Sequence, residues 1–175
     1  LEAIATLPWV EKYRPRSLDE MIDQEEVVNS LKNILKTKAV PHMLFAGPPG
    51  VGKTATAHAF ARDLFGDRYI EDGHFMEINA SDERGIQTIR EKVKMFARQI
   101  PMGGLGFKIL LLDESDQLTD DAQHAFRRVM EQYSATCRFI LAANYSNRII
   151  EPIQSRCAVF RFRPLLKKDV IKHLR

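Results

Sequence analysis

Apolar positions along this chain follow two patterns: short uninterrupted runs, and longer stretches in which apolar residues recur every three or four positions. The uninterrupted runs are typical of strands buried on both faces. They predict strands at 43–46, 75–78, 109–112, 139–143 and 158–162. The stretches with helical spacing predict helices at about 25–38, 53–64, 84–98 and 119–133. Because strands and helices alternate, the sequence predicts an α/β fold with a five-stranded parallel sheet flanked by helices.

Two helix signals refine this picture. Thr119 is the expected N-cap of the helix at 119–133, and Asp120 and Asp121 complement the positive end of its dipole. An amphipathic pattern starts at 169–175 and stops with the sequence. We therefore expect a second, truncated helical unit at the end of the chain.

Composition narrows the class of protein. The 175 residues, 45% apolar and 28% charged, are typical of a globular domain with its own core. No apolar run is long enough for a membrane span, and the N-terminus lacks a basic signal-peptide head. Cys137 and Cys157 have no further cysteine or histidine at metal-ligand spacing. We expect an intracellular protein with neither zinc nor a membrane partner.

Positive charge is concentrated in two stretches, although the net charge is only +3. Residues 84–98 carry five basic side chains against one acid, and residues 155–175 carry seven against one. Such runs fit either a solvated face or a surface for an anionic partner, so charge alone leaves both interpretations open.

The segment 47–54 matches the phosphate-binding pattern G-x-x-x-x-G-K-[S/T], between a predicted strand and a predicted helix. Its backbone N–H groups and the helix N-terminus are suited to phosphate oxygens. We expect Lys53 to reach the β- and γ-phosphates of ATP and the Thr54 hydroxyl to bind Mg²⁺. The candidate nucleotide-binding residues of this loop are Gly47, Pro48, Pro49, Gly50, Val51, Gly52, Lys53, Thr54 and Ala55.

Acidic residues follow the third predicted strand directly. Asp113 at its tip is a candidate Mg²⁺ ligand through water, and Glu114 is a candidate to polarise the attacking water. Asn144 ends the next strand, where its amide could orient the same water or simply form a turn. With the phosphate loop upstream, these residues predict nucleotide hydrolysis.

Four further segments narrow the family. They are Pro8-Trp9-Val10-Glu11-Lys12-Tyr13-Arg14-Pro15, Asn79-Ala80-Ser81-Asp82-Glu83-Arg84-Gly85-Ile86, Glu151-Pro152-Ile153-Gln154-Ser155-Arg156-Cys157 and Phe160-Arg161-Phe162-Arg163-Pro164-Leu165. Together they resemble replication factor C small subunits, the AAA+ ATPases of archaeal and eukaryotic sliding-clamp loaders. The resemblance covers nearly the whole chain and departs at Ser115, where such subunits usually have alanine.

This resemblance implies roles for individual residues. Arg156 would be an arginine finger that enters the ATP site of the adjacent subunit, and residues 95–102 would face the clamp. Arg84, Arg90 and Lys94 would follow duplex phosphates, which gives salt-dependent DNA binding with little sequence preference. The residues implied to pack near the adenine are Val10, Tyr13, Arg14, Pro15 and Ile22.

The resemblance also implies an organisation and a function. Residues 1–163 would be an AAA+ P-loop NTPase (RecA-like) domain, with 1–22 as the adenine-packing segment, and 164–175 would begin a helical lid. The intact subunit would join a pentamer-like spiral, homo- or hetero-oligomeric, and use ATP and Mg²⁺ to load a clamp on primer–template DNA. The isolated fragment would be weakly active or inactive. Its location would be nuclear in a eukaryote and cytoplasmic in an archaeon.

Two alternatives remain open. One is a related AAA+ DNA motor of the Holliday-junction branch-migration type, against which the segments 79–86 and 155–157 argue. The other is a non-hydrolysing, ATP-binding scaffold subunit. Lys53, Thr54, Asp113 and Glu114 argue against a scaffold, because it has no physical need for all four residues.

Overall fold

The computed structural model describes residues 14–81, 86–99 and 104–166. This part of the chain forms a five-stranded sheet in the order β2-β3-β4-β1-β5, in which every neighbouring pair is parallel. The strands are β1 (His42–Ala46), β2 (Phe75–Asn79), β3 (Lys108–Asp113), β4 (Cys137–Ala143) and β5 (Cys157–Arg161). The α/β fold with a five-stranded parallel sheet is therefore confirmed.

Helices connect the strands and flank the sheet. They are α1 (Glu25–Thr37), α2 (Lys53–Phe65), α3 (Ile86–Arg98), α4 (Asp120–Gln132) and the single turn α5 (Glu151–Gln154). Short 3₁₀ turns cover Leu18–Glu20, Ser115–Gln117 and Ser146–Arg148. The expected cap of α4 is confirmed, because the Thr119 side chain accepts a hydrogen bond from the backbone N–H of Ala122. The turn α5 was not predicted, since four residues are too few to show an apolar period.

Two apolar clusters cover the two faces of the sheet. Leu31 of α1 and Phe60 of α2 pack on one cluster, and Phe96 of α3 and Phe126 of α4 pack on the other. Neighbouring residues of β3 alternate between the clusters, with Ile109 and Leu111 in the first, Leu110 and Leu112 in the second. Both faces are buried, which explains why the strands appear in the sequence as uninterrupted apolar runs.

The strand order brings three chain segments to one edge of the sheet. β4 lies between β1 and β3, with Ala46 opposite Ala143 and Leu112 opposite Leu141. The carboxyl ends of these parallel strands therefore lie side by side, and the residues that follow them converge there. In open α/β sheets this edge is where ligands bind.

Candidate functional site

The loop between β1 and α2 has the backbone of a phosphate cradle. Gly50 and Gly52 have φ angles of 77° and 94°, in the left-handed region that favours glycine, and α2 begins at the next residue, Lys53. Glycine is needed at position 47 because the loop backbone there lies close to Phe162. A Cβ at this position would lie 2.6 Å from the carbonyl oxygen of Phe162. The loop thus presents the N-terminus of α2 to an anion.

Lys53 is held at the mouth of this loop. Its Nζ donates hydrogen bonds to the carbonyl oxygens of Gly47 (2.7 Å) and Pro48 (2.8 Å) and to Oδ1 of Asn144 (2.9 Å). The side chain is buried, and burial lowers its pKa from the ordinary value, while the carboxylates of Asp113 and Asp116 oppose that shift. The ammonium is therefore fixed between the phosphate loop and the end of β4.

Thr54 and Asp113 lie together on the other side of the loop. The Thr54 hydroxyl donates to Asp113 Oδ2 at 2.5 Å, and Asp113 Oδ1 accepts from the backbone N–H of Glu114 at 2.8 Å. A hydroxyl and a carboxylate are hard oxygen ligands of the kind Mg²⁺ prefers. No group of three or more His, Cys, Asp or Glu that could hold a metal occurs among the described residues. The Thr54 hydroxyl and the Asp113 carboxylate are the groups here that could hold a Mg²⁺.

Glu114 has a strained backbone beside this pair. Its φ of 50° and ψ of 37° lie in the left-handed region, which is costly for a residue with a side chain. Strain of this kind occurs preferentially where function requires a particular side-chain direction. Glu114 lines the same cavity as the phosphate loop.

One cavity of about 420 Å³ unites most of the residues predicted from the sequence. Its lining consists of Arg14, Pro15, Pro49, Gly50, Gly52, Lys53, Thr54, Ala55, Asp113, Glu114 and Asn144. Each of these is a predicted site residue. Gly47, Pro48, Val51 and Ile22 do not line the cavity, while Val10 and Tyr13 fall outside the described residues.

Arg156 lies apart from this cavity, on the turn after α5. Its guanidinium donates to the carbonyl oxygen of Pro152 at 2.7 Å and pairs with Glu131 of α4 at 2.6 Å. The side chain is exposed. The structure therefore does not bring Arg156 to the Lys53 site of its own chain.

Two of the three predicted DNA-binding residues, Arg90 and Lys94, lie on α3. Arg90 is exposed and Lys94 is half-buried, and their spacing of four places them on one side of the helix. Arg84 lies outside the described residues, as do residues 100–102 of the segment implied to face the clamp. Within that segment Met95 is exposed.

Sequence reasoning assigned no role to three buried polar residues near the site: Ser115, Asp116 and Gln123. Gln123 donates to the carbonyl oxygens of Leu118 (3.2 Å) and Arg148 (2.8 Å) and accepts from the backbone N–H of Ile150 (2.9 Å). These bonds join the start of α4 to the segment that leads into α5. The sequence did contain a signal that Gln123 is buried, because Gln123 follows the core residue Ala122 on a helix predicted to be amphipathic.

Strand order, the loop at 47–54 and the acids at the end of β3 together define a P-loop nucleotide-binding protein. The chain belongs to the ATPase family associated with various cellular activities (AAA), whose sequence model matches residues 43–165.

Curated relatives agree with the motif resemblance. The chain is 61% identical over 174 residues to the replication factor C small subunit of Staphylothermus marinus, which covers 99% of this chain and 52% of that protein. It is 59% identical over 175 residues to the same-named subunit of Aeropyrum pernix, covering 100% of this chain and 53% of the relative. The resemblance to replication factor C small subunits is thus confirmed, and the chain spans about half the length of these relatives.

Solved structures support the fold alone. Two variants of the Thermotoga maritima RuvB protein superpose with TM-scores of 0.75 and 0.74 at 22% and 21% sequence identity. Each comparison covers 93% of this chain, and 52% and 53% of the respective RuvB chains.

None of the helices in the described ranges has the length and apolar character that a membrane crossing requires.

Proposed function

We propose that this chain is the ATP-binding core of a DNA sliding-clamp loader small subunit, which couples ATP binding and hydrolysis to placing the clamp on primer–template DNA. The observation that carries the proposal is the single cavity shared by the phosphate loop, the Asp113–Glu114 pair and Asn144. It occurs in a chain about three-fifths identical to proteins named replication factor C small subunit.

The phosphate loop and the start of α2 bind ATP. The backbone N–H groups at the start of α2 hold phosphate oxygens, and Lys53 exchanges its contacts with Gly47 and Pro48 for the β- and γ-phosphates. Thr54 and Asp113 hold Mg²⁺, which when bound neutralises charge on the phosphate oxygens.

Hydrolysis requires an activated water beside the γ-phosphate. Glu114 lines the cavity next to Asp113 and accepts the proton of that water. Asn144 Oδ1 accepts a hydrogen bond from Lys53 Nζ, and the Asn144 amide orients the water relative to the phosphate. Lys53 stabilises the charge that develops on the transferred phosphoryl group.

Arg156 completes the site of a neighbouring subunit. It is exposed and lies outside its own cavity, which supports a role in trans. A guanidinium placed on the γ-phosphoryl oxygens stabilises their charge in the transition state. Hydrolysis therefore depends on assembly, and the isolated domain is expected to be weakly active.

The proposed partners are the other loader subunits, the sliding clamp and primer–template DNA. Arg84, Arg90 and Lys94 contact the DNA phosphates, with residues 95–102 toward the clamp. The proposed domains are a nucleotide-binding domain at 1–163 and the start of a helical lid at 164–175. The relatives compared above are archaeal, so the proposed location is the cytoplasm.

The test is ATP hydrolysis by the full-length protein in its reconstituted complex. Rates are compared without DNA, with primer–template, with primer–template plus clamp, and with a four-way junction. We expect stimulation by primer–template and a further rise with clamp. A preference for the four-way junction that is indifferent to clamp would assign the protein to the branch-migration motors instead. ATP binding without hydrolysis in every arm would assign it as a scaffold.

A further inference from the structure

Two buried polar residues follow the catalytic acids directly. Ser115 is 0% exposed and Asp116 is 5% exposed, in the short 3₁₀ turn after β3. Burying a hydroxyl is costly unless it is hydrogen-bonded, and burying a carboxylate is more costly still. Their contacts therefore indicate what these two residues do.

Both residues bind the segment that carries Asn144. The Ser115 hydroxyl donates to the carbonyl oxygen of Ala142 at 2.9 Å, and Asp116 Oδ2 accepts from the backbone N–H of Tyr145 at 3.2 Å. Ala142 precedes Asn144 by two residues and Tyr145 follows it directly. The two bonds thus hold the backbone on both sides of Asn144.

The Ser115 and Asp116 side chains form their hydrogen bonds beyond the point where the backbone pairing of β3 with β4 ends. The pairing of β3 with β4 stops at Leu112 opposite Leu141. Beyond that point Ser115 and Asp116 provide the hydrogen bonds between the two segments. The segment that contains Glu114 is therefore joined directly to the segment that contains Asn144, across the cavity edge where both meet.

Asp116 also affects Lys53, which lines the same cavity as Glu114 and Asn144. Its negative charge favours the charged form of Lys53, whose pKa burial lowers. Lys53 in turn donates to Asn144 Oδ1 at 2.9 Å. Asp116 Oδ1 is buried and has no hydrogen-bond donor among the described residues.

We propose that Asp116, assisted by Ser115, is the positioning residue that fixes Asn144 relative to Glu114 and Lys53. It touches no reacting atom and acts through the backbone of 142–145. The inference rests on the proposed role of Asn144 in hydrolysis. A displacement of about 1 Å in such a group is enough to slow catalysis strongly.

The test uses full-length protein in the reconstituted complex with primer–template and clamp. Asp116→Ala is compared with Asn144→Ala, with the double variant, and with Asp116→Asn, which keeps an acceptor oxygen for Tyr145 but removes the charge. Ser115→Ala removes only the bond to Ala142. Asp121→Ala, an exposed acid in the first turn of α4, is the control for loss of a negative charge.

We expect Asp116→Ala to lower kcat roughly tenfold to a hundredfold, with the KM for ATP within about twofold of wild type. The double variant should be no slower than Asn144→Ala, because Asp116 acts only by positioning Asn144 and has no further effect once Asn144 is removed. Asp116→Asn should recover part of the rate, and Ser115→Ala should lose less than Asp116→Ala. Asp121→Ala should match wild type.

Independent, multiplying effects of Asp116→Ala and Asn144→Ala would overturn the inference, and so would a loss confined to the KM for ATP. If Asp116→Ala fails to fold, Asp116→Asn and Ser115→Ala, each combined with Asn144→Ala, decide the same question by the same comparison. A wild-type complex without ATP hydrolysis would instead contradict the proposed function itself, which separates the two failures.

Discussion

His42 illustrates how burial sets the chemistry of single residues in this protein. Its Nδ1 accepts a hydrogen bond from the backbone N–H of Phe139 at 3.2 Å, at the start of β1. Burial and the nearby Arg138 guanidinium lower the pKa of His42 to about 4. Protonation of Nδ1 would also remove the acceptor that Phe139 uses. The folded state therefore holds this ring in its neutral form.

This shift makes a pH-dependent contribution to stability. Between the ordinary pKa of 6.5 and the folded value of about 4, the unfolded chain binds a proton at His42 and the folded chain does not. The free energy of unfolding should therefore fall as pH falls through that window. His42→Asn, whose amide oxygen can replace Nδ1, should flatten this fall when urea midpoints are compared at several pH values.

The exposed His124 of α4 is the matched control for the substitution. His124→Asn should leave the pH dependence close to that of the wild type. An unchanged slope in His42→Asn would show that the ring is protonated equally in the folded and unfolded states.

At the scale of elements, a buried side chain joins the segment after the edge strand β5 to the start of α1. Gln24, just before α1, donates to the carbonyl oxygen of Arg163 at 2.8 Å and accepts from its backbone N–H at 3.2 Å. Gln24 is buried, so both bonds are shielded from water. They fix the segment that follows β5 against the start of α1.

Gln24→Ala should release that segment. Losing the two bonds leaves the Arg163 backbone without these partners and should lower the free energy of unfolding by about 1–3 kcal/mol. Hydrogen exchange at the Arg163 amide should accelerate by more than exchange in β1. Gln87→Ala, on the exposed side of α3, is the control and should change neither quantity appreciably. Unchanged exchange at Arg163 would mean that other contacts hold the segment.

The strands were predictable because each is an uninterrupted apolar run, and the long helices because each carries an apolar period over enough residues to be recognised. The phosphate loop and the Asp113–Glu114 pair were predictable because their chemistry is local in sequence. Ser115, Asp116 and Gln24 were not, since their partners lie between 27 and 139 positions away. Only the strand order brings those partners together, and the apolar pattern does not encode that order.

At the scale of the whole molecule, the two parts of the proposed hydrolytic site lie at different places on the chain. Lys53, Glu114 and Asn144 share one cavity. Arg156 lies outside it, held by Glu131 and the carbonyl oxygen of Pro152. The proposed arrangement is a head-to-tail assembly in which Arg156 of one subunit serves the cavity of the next, a heterologous contact that generates rings or spirals.

A subunit-mixing experiment tests whether neighbouring subunits share the site. Full-length Lys53→Ala and Arg156→Ala variants are assembled separately and co-assembled in equal amounts, and DNA-stimulated ATP hydrolysis is measured. Each variant alone should be inactive or nearly so. In the mixture roughly a quarter of the interfaces should combine an intact Lys53 with an intact Arg156 from the neighbour, so activity should return to about that fraction of wild type. A mixture as inactive as its components, with assembly intact, would contradict a shared site, and full activity of Arg156→Ala alone would contradict the role of the arginine.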